Sequence, residues 1–202
     1  QIAIDWFLNV CWSTIRKAVP DATLAICGAI SQHVDASITG TERHGSLERE
    51  KLMGLLGSSA VAINPTLVGT GLKIKTVEAI CAGLPSVCLP AAIEGLEDVA
   101  DEFCIAAEDG PGFIDACIRL LSDRDAWQQL SDSSMVLAKE RFSETAIYGP
   151  VDGRMGWDLD VDARIAAERP DYDPDQPPDL EDLLPSVFDE DRKLVETAIY
   201  LE

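Results

Sequence analysis

The sequence has few basic residues, no paired-cysteine motif and no long apolar run. It contains 16 lysines and arginines against 36 aspartates and glutamates, which gives a formal net charge of −20. A field of that sign repels nucleic acids and anionic membrane surfaces, so the charge disfavours both as partners. No apolar run approaches the ~18 residues that a membrane-spanning helix needs, and no secretory signal pattern opens the sequence. The composition therefore predicts a soluble, cytoplasmic protein without a transmembrane segment.

Six cysteines are present, and no two of them form a Cys-x-x-Cys pair. Zinc sites need clustered cysteine and histidine ligands, and neither His33 nor His44 has such neighbours. Most of the cysteines stand in apolar stretches such as "LAICG" and "PSVCLP". They are therefore predicted to be small buried residues in a reducing compartment, and no metal site is predicted.

The excess of acidic residues is greatest at the C-terminal end. Residues 1–142 contain 19 acidic and 11 basic residues, whereas residues 143–202 contain 17 and 5. The stretch "RPDYDPDQPPDLEDLLP" is also rich in proline, a composition that does not form regular core elements. We therefore divide the chain into a folded domain over residues 1–145 and an acidic tail over residues 146–202, with a short terminal helix expected near residues 190–200.

The acidic tail contains one segment with the spacing of a calcium loop. The sequence "DLDVD" places Asp158, Asp160 and Asp162 at positions one, three and five of such a loop. A calcium loop needs glycine at position six and glutamate at position twelve, where this sequence has Ala163 and Arg169. A solvated acidic segment is the better interpretation.

Apolar runs alternate with amphipathic segments along the first two thirds of the chain. Four runs are predicted to be buried strands, at residues 22–28, 60–64, 84–90 and 102–107, with a weaker strand at residues 34–39. Helices are predicted over residues 3–18 and 47–58, from about residue 71 to Gly83, and in two segments between residues 111 and 142. This alternation predicts a Rossmann-like α/β fold, with a parallel sheet flanked by helices and ligands bound beyond the carboxyl ends of its strands.

The loop after the second strand contains the most concentrated lysine pair of this acidic chain. Residues 64–83 read "NPTLVGTGLKIKTVEAICAG". A helix that begins near Gly71 would present unpaired backbone N–H groups and a partial positive charge, and Lys75 and Glu78 would follow on the same stripe. Amides and an ammonium suit a diphosphate, and a carboxylate one turn further suits the two hydroxyls of a ribose. The pattern thus fits a nucleotide, although an i,i+3 ion pair on a solvated helix is the alternative.

The other stripe of this helix, formed by Ile74, Val77 and Cys81, is expected to face the core. The loop lacks the Gly-Lys-Ser/Thr of a Walker loop. It also departs from the Gly-x-Gly-x-x-Gly fingerprint, because Gly69 and Gly71 are followed by Ile74 where a third glycine would stand. These departures disfavour an oxidoreductase that uses a dinucleotide.

Three segments, "INPTLVGTGLKIKTVEAICAGLPSV", "IEGLEDVADE" and "ERFS", resemble the C-terminal, donor-binding domain of GT-B glycosyltransferases of family 4, the glycosyl transferases group 1. The resemblance runs from about residue 6 to residue 143. It implies one half of a GT-B fold and a UDP- or GDP-linked sugar as the donor, with no separate cofactor. It also implies retaining hexosyl transfer to a glycan or lipid-linked acceptor in polysaccharide biosynthesis.

The resemblance also assigns roles to residues of the glycine–lysine loop. The Glu-(any seven)-Glu motif of the wider family has its second member at Glu78, which would bind the ribose hydroxyls. Its first member falls on Thr70, whose hydroxyl can still bond to a sugar. The backbone amides for the sugar and the diphosphate would come from Gly71, Leu72, Lys73, Ile74 and Lys75. The lysines would offset the acidic background where two phosphates must lie.

Compared with that family, the sequence begins inside the first helix of the donor domain. It would lack the first strand of that domain, and this would leave a sheet edge exposed. It would also lack the acceptor domain, where the catalytic residues are expected, so those residues stay unknown. The chain alone is expected to bind a donor weakly and to transfer nothing. The alternative function is a non-catalytic interaction domain derived from a glycosyltransferase, with the acidic tail docked on a basic partner.

Overall fold

The structure is a computed structural model that describes residues 2–143, 146–147 and 197–199. The first helix is interrupted by a π-helical turn at Leu8–Trp12, and the last described helix continues into another at Ala138–Phe142. Two 3-10 helices lie at Ala29–His33 and Glu97–Glu102. The α-helical segments are α1 (Ile2–Phe7 and Ser13–Ala18), α2 (Arg49–Gly57), α3 (Ile74–Cys81), α4 (Pro90–Ile93), α5 (Gly110–Ser122) and α6 (Arg124–Leu137).

The strands pair in parallel throughout the described part of the chain. They are β1 (Leu24–Cys27), β2 (Thr41–Gly45), β3 (Ala62–Asn64), β4 (Ser86–Cys88), β5 (Cys104–Ala106) and β6 (Thr197–Ile199). β1 pairs with β2 on one side and β6 on the other, and β4 pairs with β3 and β5. The strands thus form two three-stranded parallel sheets, in the orders β2-β1-β6 and β3-β4-β5, and β6 lies near β3. This arrangement confirms the predicted Rossmann-like α/β fold.

The four predicted buried strands are confirmed as β1, β3, β4 and β5, whereas the weak strand at residues 34–39 is wrong. The structure places β2 further along, at Thr41–Gly45, with its side chains mostly exposed. An edge strand with exposed polar side chains lacks the alternation of apolar and polar residues by which strands are predicted. The sequence "TERHG" therefore gave no signal of a strand.

The terminal helix expected near residues 190–200 is wrong at Thr197–Ile199, which form β6. The backbone of β6 runs parallel to β1, with Leu24 opposite Thr197 and Ile26 opposite Ile199. The sheet edge that the sequence analysis expected to be exposed is thus occupied by this strand. The remaining residues of the predicted helix, and the acidic triad of the calcium-like segment, lie outside the described residues.

Proline in the middle of β6 should destabilise the domain. Ala198→Pro places proline at the middle residue of β6, opposite Ala25 of β1, and proline has no backbone N–H to donate within a strand. We expect the free energy of unfolding in urea to fall by about 1 kcal/mol, the usual net contribution of one hydrogen bond. Thr197→Val, which keeps a β-branched residue, is the control. An unchanged urea midpoint for Ala198→Pro would show that β6 does not hold the sheet together.

The largest core cluster lies where the first helix and α5 pack on the sheet. The rings of Phe7 and Phe113 meet edge to face with centroids 5.8 Å apart, and Trp6 packs on Phe113 in the same way at 5.7 Å. A second cluster, which includes Ile80 and Phe103, supports the inner side of α3. The strand β4 contributes to both clusters, with Val87 in the first and Cys88 in the second.

All six cysteines are free thiols, and five of them are buried, as the sequence analysis predicted. Burial raises the pKa of Cys11 and of Cys27 to about 11, which keeps both thiols protonated at neutral pH. Cys81 departs from the prediction, because it is exposed near the end of α3. This exposure follows from the orientation of α3, which also determines the geometry of the candidate site.

Candidate functional site

The residues singled out from the sequence lie together, at the carboxyl end of β3 and on the start of α3. Lys73, Lys75 and Glu78 are half-buried. The exposed members of the set are Thr70, Gly71, Leu72 and Ile74. A ligand can therefore reach the exposed residues of this loop from solvent.

Two sequence-based expectations about α3 are wrong. The helix begins at Ile74, three residues after the expected start, so Gly71 belongs to the loop. Two members of the stripe expected in the core are turned outward instead, since Ile74 is 71% exposed and Cys81 is exposed, whereas Val77 is half-buried. The residues of α3 that are buried are Thr76, Ala79 and Ile80. Apolar spacing alone could not predict this orientation, because a polar residue, Thr76, is buried with both of its hydrogen bonds made inside the protein.

The glycines of the loop adopt left-handed backbone conformations, with φ of +128° at Gly69 and +80° at Gly71. Such values are strained for residues with a Cβ. A Cβ built on Gly71 would have no other atom within 4 Å, so the backbone there borders open space. The loop thus leaves room for a ligand to approach its amides closely.

A buried chain of hydrogen bonds joins β3, the loop and α3. The Asn64 side-chain amide donates to the Thr76 hydroxyl over 2.9 Å, and that hydroxyl donates to the Ala92 carbonyl over 3.0 Å. The Asn64 side-chain carbonyl accepts from the hydroxyl of Thr66 at 2.6 Å and from its backbone N–H at 3.3 Å. Both Asn64 and Thr76 are almost fully buried. The network therefore fixes the first residues of the loop to α3 and to α4.

This network could not be predicted from the sequence. The sequence contains only two signals of the network: a threonine between apolar residues of a helix, and an asparagine at the end of a strand. Neither signal specifies a partner twelve residues away. The network matters for the site because a buried donor or acceptor that loses its partner costs about 1–3 kcal/mol.

Lys73 does not extend into solvent. Its ammonium donates to the Gly71 carbonyl over 2.6 Å and lies 3.5 Å from a carboxylate oxygen of Glu94, and its side chain is only 13% exposed. Glu94 belongs to the turn that follows α4, at the carboxyl end of the neighbouring strand β4. The site therefore has a second wall, which sequence analysis missed because residues 73 and 94 are brought together only by the fold.

Lys75 and Glu78 lie on the first two turns of α3. Lys75 lines a small cavity between the helix and the sheet, together with Asn64 and Thr76. One carboxylate oxygen of Glu78 is shielded from solvent. A half-buried carboxylate one turn beyond an exposed glycine loop can accept hydrogen bonds from hydroxyl groups, and backbone amides at the start of a helix suit an anion.

Within residues 2–143, 146–147 and 197–199, no group of three or more histidine, cysteine, aspartate or glutamate side chains is placed to hold a metal ion. No helix in this part of the chain is long and apolar enough to cross a membrane.

A parallel sheet with a glycine-rich loop that leads from a strand end into a helix defines a Rossmann-type α/β domain. The chain belongs to the glycosyl transferases group 1, whose family model matches residues 1–123. The candidate loop and all of α3 lie inside this match.

The fold is that of a GT-B glycosyltransferase domain. The chain is similar to Anabaena HepE (Alr3699), a protein whose crystal structure was solved in complex with UDP and glucose. The TM-score is 0.54 at 13% sequence identity, and the alignment covers 71% of this chain and 44% of HepE. The chain thus spans less than half the length of that protein. None of the curated proteins matches this sequence.

Proposed function

We propose that this chain is the donor-binding half of a retaining glycosyltransferase of family 4. The whole protein would transfer a hexose from a nucleotide-sugar to a glycan or lipid-linked acceptor, in cytoplasmic steps of polysaccharide biosynthesis. The observation that carries the proposal is the site itself: an exposed glycine loop and the half-buried Glu78 lie at one strand end of a chain that belongs to this family.

UDP is the nucleotide we favour for this site. The similar protein HepE was solved with UDP and glucose, and this chain has the same fold. The backbone amides from Gly71 to Lys75 would receive the sugar and the diphosphate, and Glu78 would accept hydrogen bonds from the ribose hydroxyls. Thr70, exposed on the same loop, would donate to the sugar.

The chemical task of such a domain is to position the donor and to stabilise the leaving diphosphate. Preorganised amides and cations contribute most where negative charge develops during the reaction, and fixed positioning removes entropy from the barrier. The residues of this chain would bind, orient and stabilise charge. No residue of the chain is assigned to proton transfer or to nucleophilic attack.

Calorimetric titration with a panel of nucleotides tests the proposal. UDP and UDP-glucose should bind, GDP should bind more weakly, and NADH should give no heat. Preferential binding of NADH would support an oxidoreductase instead. A folded chain that binds none of these nucleotides would refute the donor site and favour the alternative of an interaction domain.

A further inference from the structure

The side chain of Lys73 connects two loops that lie far apart in sequence. It bends back beneath its own loop, so that a Cβ built on Gly69 would lie 3.8 Å from Lys73 Cε. From there the ammonium reaches the Gly71 carbonyl on one side and the Glu94 carboxylate on the other. A lysine so placed ties the backbone of the loop to the opposite wall of the site.

The wall that holds Glu94 is itself fixed. Gly95 has φ of +86°, and its N–H donates to the carboxylate of Glu97 over 2.9 Å. The next residue, Asp98, pairs with both terminal nitrogens of Arg141, and this hydrogen-bonded pair lowers the pKa of Asp98. A Cβ built on Gly95 would lie 3.8 Å from the side chain of Leu72, so the turn packs directly beside the loop.

We propose that Glu94 is a positioning residue of the donor site, which holds the Lys73 ammonium and through it fixes the amides around Gly71 in the conformation that receives a diphosphate. We call the contact of Lys73 with Glu94 and the Gly71 carbonyl the latch. The identity of the ligand rests on the function proposed above, whereas the latch itself is a property of the protein without ligand.

The latch gives Lys73 a role different from a direct phosphate contact. The Glu94 carboxylate already balances its charge, and the Gly71 carbonyl takes one of its three hydrogen bonds. If the latch positions the loop, loss of either partner should weaken nucleotide binding. If Lys73 instead left Glu94 to bind phosphate, removal of Glu94 would free the ammonium and strengthen binding. The two roles therefore predict opposite changes in nucleotide affinity when Glu94 is replaced.

Titration of four variants with UDP shows whether the affinity falls or rises. Glu94→Gln and Lys73→Met should each weaken UDP binding by about three- to tenfold, the scale of a partly exposed charged contact. The double variant should bind UDP no more weakly than the single variant with the lower affinity, because both substitutions break the same latch. Lys73→Arg should retain near-original affinity. Asp115→Asn, an exposed change on α5 that also removes one negative charge, is the control.

Backbone ¹⁵N relaxation of the protein without ligand tests the latch independently of nucleotide binding. In Glu94→Gln and Lys73→Met, the order parameters of residues 69–73 should fall from about 0.85 toward 0.6 or below, while those of α5 stay constant. Unchanged order parameters would overturn the latch, and so would tighter UDP binding by Glu94→Gln. If the original protein binds no UDP, the proposed function fails, and the relaxation data alone decide whether the latch exists.

Discussion

Substitution of Glu78 by alanine should weaken UDP binding by about 1.5–3 kcal/mol, or about 10- to 150-fold in Kd. Glu78 is half-buried on the second turn of α3, just beyond the exposed residues of the loop. There it can accept both hydroxyls of a ribose, and hydrogen bonds to a charged group exceed those between neutral groups. Isothermal titration of the original protein and the variant with UDP measures the loss.

Glu78→Gln is the matched comparison, because the amide keeps the shape of the side chain and one acceptor oxygen. It should show an intermediate loss, whereas Asp115→Asn should bind UDP like the original protein. Thermal unfolding of each variant shows whether the domain remains folded. A well-folded Glu78→Ala variant with unchanged UDP affinity would remove Glu78 from the site.

Replacement of Thr76 by valine should lower the free energy of unfolding by about 1–3 kcal/mol. Valine has nearly the same shape, but it removes the hydroxyl that accepts from Asn64 and donates to the Ala92 carbonyl. Both partners would then be left with unmet hydrogen bonds inside the protein. Urea denaturation followed by tryptophan fluorescence measures the change.

Thr76→Ser is the control for this prediction, because it keeps the hydroxyl and removes only a methyl group. Loss of one buried methyl costs about 0.8 kcal/mol. Thr76→Val should therefore be the less stable of the two variants, and its loop should bind UDP more weakly. If serine proved the more damaging substitution, packing of the methyl group and not the hydrogen-bond network would support the loop.

Most of the architecture could be predicted from the sequence, because four buried strands are short apolar runs with clear ends. The loop after β3 could also be located, since its glycines and lysines stand between a strand and a helix. The orientation of α3 could not be predicted, because Thr76 is buried through its hydrogen bonds while Ile74 is turned to solvent. The pattern of apolar residues does not indicate that a threonine of the helix is buried while an isoleucine is exposed.

Contacts between distant segments account for the other differences. Glu94 reaches Lys73 only because β3 and β4 are neighbours in the sheet. The segments β2 and β6 are strands because β1 pairs with both of them. The short strands at Thr41–Gly45 and Thr197–Ile199 have little periodicity of their own. Division of the chain into a domain at residues 1–145 and an acidic tail at 146–202 stays a prediction, as does docking of that tail on a basic partner.

The central claim is that the loop between β3 and α3 receives a nucleotide diphosphate. Titration of the ¹⁵N-labelled chain with UDP, followed by amide chemical shifts, tests it most directly. We predict that the amides of residues 69–75 and of Glu78 shift together and saturate with one Kd, while those of α5 do not move. Saturable shifts confined to another part of the chain, or none in a folded sample, would contradict the claim.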